Sequence, residues 1–121
     1  MRDAINGSTG GAPFSGAIVA GGRFVFVEGQ GPLRNGEYVE GTIEEETRRL
    51  TLDKLGALLV QAGRGFEHVV RCGVWLTDLS HVEGMNSVYV SVFPDPRPAR
   101  ATVRADLIVG KVEIDCIAVV P

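Results

Sequence analysis

The stretch from Pro98 to Val120 constrains this chain most, because both of its halves alternate with the period of a β-strand. In the first half Ala101, Val103, Ala105 and Leu107 point one way, and Arg100, Thr102, Arg104 and Asp106 point the other. In the second half Val112, Ile114, Cys116, Ala118 and Val120 make an unbroken apolar face. Lys111, Glu113 and Asp115 begin the opposite face, which turns apolar at Ile117 and Val119, so something must cover that side too. If the two strands are neighbours, Arg100, Thr102 and Glu113 stand together. A guanidinium there matches a planar carboxylate with two parallel hydrogen bonds, and a nearby carboxylate can position or deprotonate a water.

Further elements follow from the same periodicities. Ala17–Ala20 and Arg23–Glu28, joined by Gly21-Gly22, read as a β-hairpin whose second strand sets Phe24, Phe26 and Glu28 against Val25 and Val27. Asn35-Gly36 marks another turn. Thr42 and Glu45 form a capping box for a helix whose first-turn acids, Glu44, Glu45 and Glu46, read as solvated carboxylates at the positive end of the dipole. Its apolar stripe is Leu52, Leu55, Leu59 and Ala62, and Gly63 is suited to end it. Val69–Thr77 reads as a strand with Val70, Cys72, Val74 and Leu76 opposite Trp75. Ser80 and Glu83 start a second helix with the stripe Val82, Met85, Tyr89 and Val92. Pro94, Pro96 and Pro98 stiffen the connector that delivers Arg100. Residues 1–12, Gly-rich and without periodicity, read as a flexible lead-in to a single domain over 13–121.

The order β-β-α-β-α-β-β predicts an α+β fold, one mixed sheet with two helices on one face. Phe24, Phe26, Trp75, Ile117 and Val119 are then left on the other face, and a patch of that extent predicts self-association.

A net charge of −3 and the lack of any basic run argue against a nucleic-acid partner. With no secretory leader and no apolar run of spanning length, a cytoplasmic protein without a membrane partner is expected. Cys72 and Cys116 fall on inward faces without metal spacing and read as small core residues. His68 and His81 lie in polar contexts with no ligand partner nearby in sequence, so no metal is expected.

Pro98-Ala99-Arg100 and Val112-Glu113-Ile114 together resemble the C-terminal signature of the RidA/YjgF family of reactive-intermediate (enamine/imine) deaminases. The resemblance continues through Pro13-Phe14-Ser15, Phe26-Val27-Glu28-Gly29-Gln30, Trp75-Leu76-Thr77-Asp78, and Met85-Asn86-Ser87-Val88-Tyr89 followed by Phe93. It implies a chorismate-mutase-like fold assembled as a homotrimer, with clefts between subunits. It also implies cofactor-independent hydrolysis of small 2-imino or enamine acids to 2-keto acids and ammonia. By the same resemblance Arg100 binds the substrate carboxylate, and Glu113 is the acid associated with the catalytic water. Asn86 and Thr102 line the cleft, and Gly29 lies in its backbone turn.

Two positions depart from the family pattern. Phe14 replaces a tyrosine and cannot donate a hydrogen bond, and Glu28 replaces a serine. Glu28 either pairs with Arg100 and competes with an acidic substrate or serves as a second catalytic acid or base beside Glu113. Three functions are therefore open: the imine deaminase, another cleft hydrolase or catabolic deaminase that uses Glu28 with Glu113, and a non-catalytic trimer that binds small carboxylates.

Overall fold

A computed structural model describes residues 2–8 and 11–120. Its strands are β1 (Arg2–Ile5), β2 (Ala17–Ala20), β3 (Arg23–Gln30), β4 (Leu33–Arg34), β5 (Glu37–Tyr38), β6 (Val69–Leu76), β7 (Ala99–Arg104) and β8 (Val112–Val120). Its α-helices are α1 (Ile43–Arg48), α2 (Gly56–Gln61) and α3 (Val82–Val92). The main sheet has the order β3-β8-β6-β7. The β8 strand runs antiparallel to both of its neighbours, and β6 and β7, linked through α3, run parallel. The expected mixed sheet with helices on one side is what forms.

Val112, Ile114, Cys116 and Ala118 of β8, with Cys72, Val74 and Leu76 of β6, meet Leu50, Leu55, Leu59, Met85, Tyr89 and Phe93 in one buried core. The two cysteines are free and buried, as the sequence predicts, and burial pushes the Cys116 thiol up to about 12. Among the described residues no helix is long and apolar enough to cross a membrane.

The predicted hairpin does not form. Instead β2 pairs with β1, and β3 pairs with β8. Alternation identifies a strand but not its partner, and β8 offers β3 a longer ladder than the four residues of β2. The expected flexible lead-in is likewise overturned over Arg2–Ile5, while Met1, Thr9 and Gly10 of that stretch lie outside the described residues. This short strand carries no apolar run. It is held by pairing and by Arg2, whose Nε donates to the Val69 carbonyl (2.9 Å) and Nη2 to that of Pro96 (2.6 Å).

Asn35 and Gly36, both with positive φ, close the β4–β5 hairpin at the predicted turn. The capping box is present: Glu45 N–H donates to Thr42 Oγ1 (3.1 Å), and Thr42 N–H to Glu45 Oε1 (2.9 Å). Gly63, at φ +71°, follows the last helical turn as predicted.

The first helical stripe is out of phase, however. Residues 49–55 form a π-helical segment in which the Gly56 N–H reaches the Thr51 carbonyl, five residues back. This wider turn brings Leu50 beneath Leu55 and leaves Leu52 47% exposed. Ahead of α3 the cap is Asp78, which accepts from the Ser80 N–H (2.9 Å), not Ser80 itself, and the helix is entered through a 3₁₀ turn at Leu79–His81.

Glu46 overturns the expectation of a solvated acid run. Fully buried, it accepts from Tyr38 Oη (2.7 Å), Gly41 N–H (3.2 Å), Lys111 N–H (2.8 Å) and Lys111 Nζ (3.1 Å). Burial alone pushes this carboxyl up. The hydrogen bonds outweigh it and hold the group below its ordinary value. A depressed carboxyl contributes stability at neutral pH that is lost as pH falls below the unfolded value of about 4.3. Glu46→Gln is therefore expected to destabilise the fold by about 1–3 kcal/mol at pH 7 in denaturant titrations. The gap from wild type should close as the pH drops below about 4, and a gap independent of pH would assign the loss to packing alone.

Candidate functional site

Arg100 and Glu113 lie on opposite faces of the sheet, not together. Cross-strand partners share a face, and Arg100 is level with Cys72, which is level with Cys116. Glu113 is level with Trp75 and, through it, Val103. Cys116 and Glu113 are three residues apart on β8, so one faces the helices and the other faces away. The expected meeting of Arg100, Thr102 and Glu113 assumed that β7 and β8 are neighbours, but β6 lies between them.

The site residues thus form two groups. In the first, Arg100 stands on the edge strand β7 facing the helical layer, with Thr102 two residues on along the same face. Its guanidinium carbon lies 4.7 Å from the centre of the Tyr89 ring and 5.7 Å from that of Phe14. Phe14 is placed by its neighbour Ser15, whose N–H donates to the Pro98 carbonyl (3.1 Å) and whose hydroxyl donates to the Arg97 carbonyl. The connector is pinned as well: Arg97 N–H donates to Ser8 Oγ (3.0 Å), and its Nε donates to the Phe93 carbonyl (3.1 Å). The N-terminal stretch that reads as a lead-in therefore helps to fix where Phe14 meets Arg100.

Nε and Nη1 of Arg100 are buried without a hydrogen-bond acceptor, and among the described residues no carboxylate forms an ion pair with it. Burial lowers its pKa below the ordinary arginine value, yet a guanidinium keeps its charge near neutrality. Asn86, three residues before Tyr89 and so on the same side of α3, has a buried Oδ1 that is also without a partner. A cation with nitrogens lacking an acceptor, and an amide oxygen lacking a donor one turn from Tyr89 on α3, are what a ligand with an anionic group and a polar hydrogen would complete.

The second group stands on the other face. Val27 is level with Cys116 and Gln30 with Ile114, so β3 has one residue more than β8 over this interval. This bulge interrupts the ladder at Glu28 and Gly29. Gly29 lies against Glu113 so closely that a Cβ would overlap the carboxylate. Glu28, the residue before Gly29, is exposed, borders a shallow groove with Val25, Val27 and Leu58, and among the described residues makes no ion pair with Arg100.

Around this group the open face carries Phe26 (74% exposed), Phe24 (40%), Trp75 and Ile117, with a shallow apolar groove bordered also by Ile18 and Ala99. Val119, expected on the uncovered face, is only 5% exposed and is already covered within the chain. Among the described residues no group of three His, Cys, Asp or Glu side chains is arranged to hold a metal.

Tyr89 is the residue sequence reasoning missed. It appears there as one apolar position of a helical stripe, and only the fold shows that its ring carries the arginine.

A protein-family model described as Endoribonuclease L-PSP matches residues 6–120. The Schizosaccharomyces pombe protein mmf2, named as mitochondrial, is 42% identical over 113 residues, spanning 89% of this chain and 88% of its own. Reactive Intermediate Deaminase A, chloroplastic, of Arabidopsis thaliana is 36% identical over 110 residues, spanning 88% of this chain and 58% of that longer one. The crystal structure of RidA from an Antarctic Psychrobacter superposes with a TM-score of 0.75, at 32% identity over 88% of each chain. Motifs, sheet order and these relatives agree: the chain belongs to the Endoribonuclease L-PSP family, the YjgF/RidA family.

Proposed function

We propose that the protein hydrolyses small 2-imino or enamine acids to 2-keto acids and ammonia without a cofactor. The observation that carries this reading is Arg100, a half-buried cation whose Nε and Nη1 are enclosed without a partner and which no acid among the described residues neutralises. The name of the Arabidopsis relative supports the same chemistry. Because Arg100 and Glu113 face opposite ways, the working cleft takes them from two copies of the chain. One copy supplies Phe14, Asn86, Arg100 and Thr102, and its neighbour supplies Glu28, Gly29 and Glu113. A homotrimer whose apolar sheet faces meet around an axis would build such clefts, and it accounts for Phe24 and Phe26. A cytoplasmic setting belongs to the same proposal.

In this cleft the Arg100 guanidinium grips the substrate carboxylate and sets the adjacent C2 in place. Glu113 takes a proton from water as the water oxygen bonds to C2 and the C=N π pair moves to nitrogen. The resulting tetrahedral carbinolamine is protonated on nitrogen. Its C–N bond then breaks, the hydroxyl proton is lost, and ketone and ammonia are released. An iminium carbon is already electrophilic, so orientation and proton transfer are the catalyst's contribution. The net charge of −3 and the absence of a basic stripe favour this reading over RNA cleavage, despite the family's description. Glu28 we assign to substrate specificity, since Glu113 already supplies a carboxylate.

Static light scattering should give three times the 12.9 kDa chain mass, and a stable monomer at micromolar concentration would remove the shared cleft. Arg100→Lys replaces a planar fork by a point charge. It should weaken binding of a 2-keto acid by about ten- to a hundredfold in calorimetry; equal affinity would make Arg100 structural. Glu28→Ser should raise turnover of a small 2-imino acid, mainly through a lower KM. A fall in kcat of order 10²–10⁴ would instead make Glu28 an acid or base.

A further inference from the structure

A desolvated guanidinium in a protein is ordinarily steadied by a carboxylate, which also cancels its charge. Arg100 has no such partner among the described residues. What it has is an aromatic ring on α3 at 4.7 Å and a second on the loop before β2 at 5.7 Å. A ring quadrupole attracts a cation without neutralising it. Such a mount holds the group in place and leaves its full charge for an incoming anion.

The two rings differ in how firmly they are set. Tyr89 stacks on Phe93 with centroids 4.3 Å apart, and Phe93 meets the edge of Phe66 at 5.2 Å. Tyr89 and Phe93 are both fully buried, so this wall is anchored in the core. Phe14, 42% exposed, is held chiefly through its backbone neighbour Ser15. The Tyr89 hydroxyl is itself buried without a hydrogen-bond partner and lies near both Arg100 and Cys72, so Tyr89→Phe separates what the ring does from what the oxygen does.

We propose that Tyr89 is a positioning residue for Arg100: its core-anchored ring, with Phe14 as the outer wall, fixes the guanidinium as an uncompensated cation ready for a carboxylate. The proposal rests on the reading of Arg100 as the carboxylate-binding group, and it adds the residue that makes Arg100 competent. It also predicts that an acid introduced beside these rings would occupy Arg100 and exclude the ligand.

The test combines nitrogen-15 NMR of the Arg100 Nε–H, identified by its loss in Arg100→Lys, with titration by 2-oxobutanoate. The proteins are wild type, Tyr89→Phe, Tyr89→Leu and Phe14→Leu. Wild type and Tyr89→Phe should show one sharp Nε–H line, displaced by the ring current. They should bind 2-oxobutanoate within about twofold of each other, and Tyr89→Phe should melt no lower than wild type because it removes an unsatisfied buried hydroxyl. Tyr89→Leu should broaden the line and weaken binding by roughly tenfold or more, and Phe14→Leu should do the same to a smaller degree.

If Tyr89→Leu does not fold, the ring-current displacement in wild type and its retention in Tyr89→Phe still decide the matter. An undisplaced Nε–H line overturns the proposal. So does unchanged binding in Tyr89→Leu, or a Tyr89→Phe that binds as poorly as a lost ring would. A wild type that shows the displaced line but does not bind 2-oxobutanoate overturns the deaminase reading and leaves the aromatic mount standing.

Discussion

The structure depends on the double ladder of β8. Its backbone pairs with β3 on one side and β6 on the other, and β3 and β6 make no pairing with each other. A strand with both edges occupied has its register set twice, and its side-chain parity then governs both layers. Val112, Ile114, Cys116 and Ala118 are committed to the helical side, while Glu113, Asp115 and Ile117 are turned away from it. The same insertion pushes β7 out to the edge, and so separates Arg100 from the carboxylates by a full strand and by the thickness of the sheet.

Two ionisable side chains with buried polar atoms are treated in opposite ways in this fold. Glu46 has its carboxylate filled by four donors drawn from the β4–β5 hairpin, the approach to α1 and the approach to β8, so the charge serves as a fastening. Arg100 has Nε and Nη1 enclosed and unfilled, with only rings for company. Buried polar groups are nearly always satisfied, and each exception asks for a reason. In a molecule able to saturate Glu46 completely, the unfilled nitrogens of Arg100 stand out, and the Asn86 oxygen on α3 is likewise without a partner.

Most of the elements were legible in the sequence because periodicity and capping are local. The alternation in 112–120, the Thr42–Glu45 box, the Asn35-Gly36 turn and the Met85–Tyr89 stripe all reappear in the fold. What was not legible depends on partners far along the chain. Nothing in Arg23–Val27 says that its ladder belongs to β8 and not to Ala17–Ala20, and nothing in Arg2–Ile5 announces a strand. Leu52 was misplaced because a π-helical turn shifts the phase without a signature of its own, and the bulge between Val27 and Gln30 leaves no mark in the sequence either. The candidate site was legible as a set of residues but not as an arrangement. Arg100 and Glu113 stood out as candidates, and the strand that divides them did not.

The place of β8 in the chain also bears on how the molecule is made. Its two ladder partners are synthesised before it, and until it arrives each exposes the edge that it will fill. From the end of β6 to the end of β8 translation takes roughly 2–9 s at ordinary elongation rates. Through that interval Phe24-Val25-Phe26-Val27 and the apolar run of β6 are unzipped strands on a nascent chain, the kind of edge that recruits other chains. Sheet closure is thus deferred to the last strand of the sheet to be translated, and the open edges of β3 and β6 wait on it.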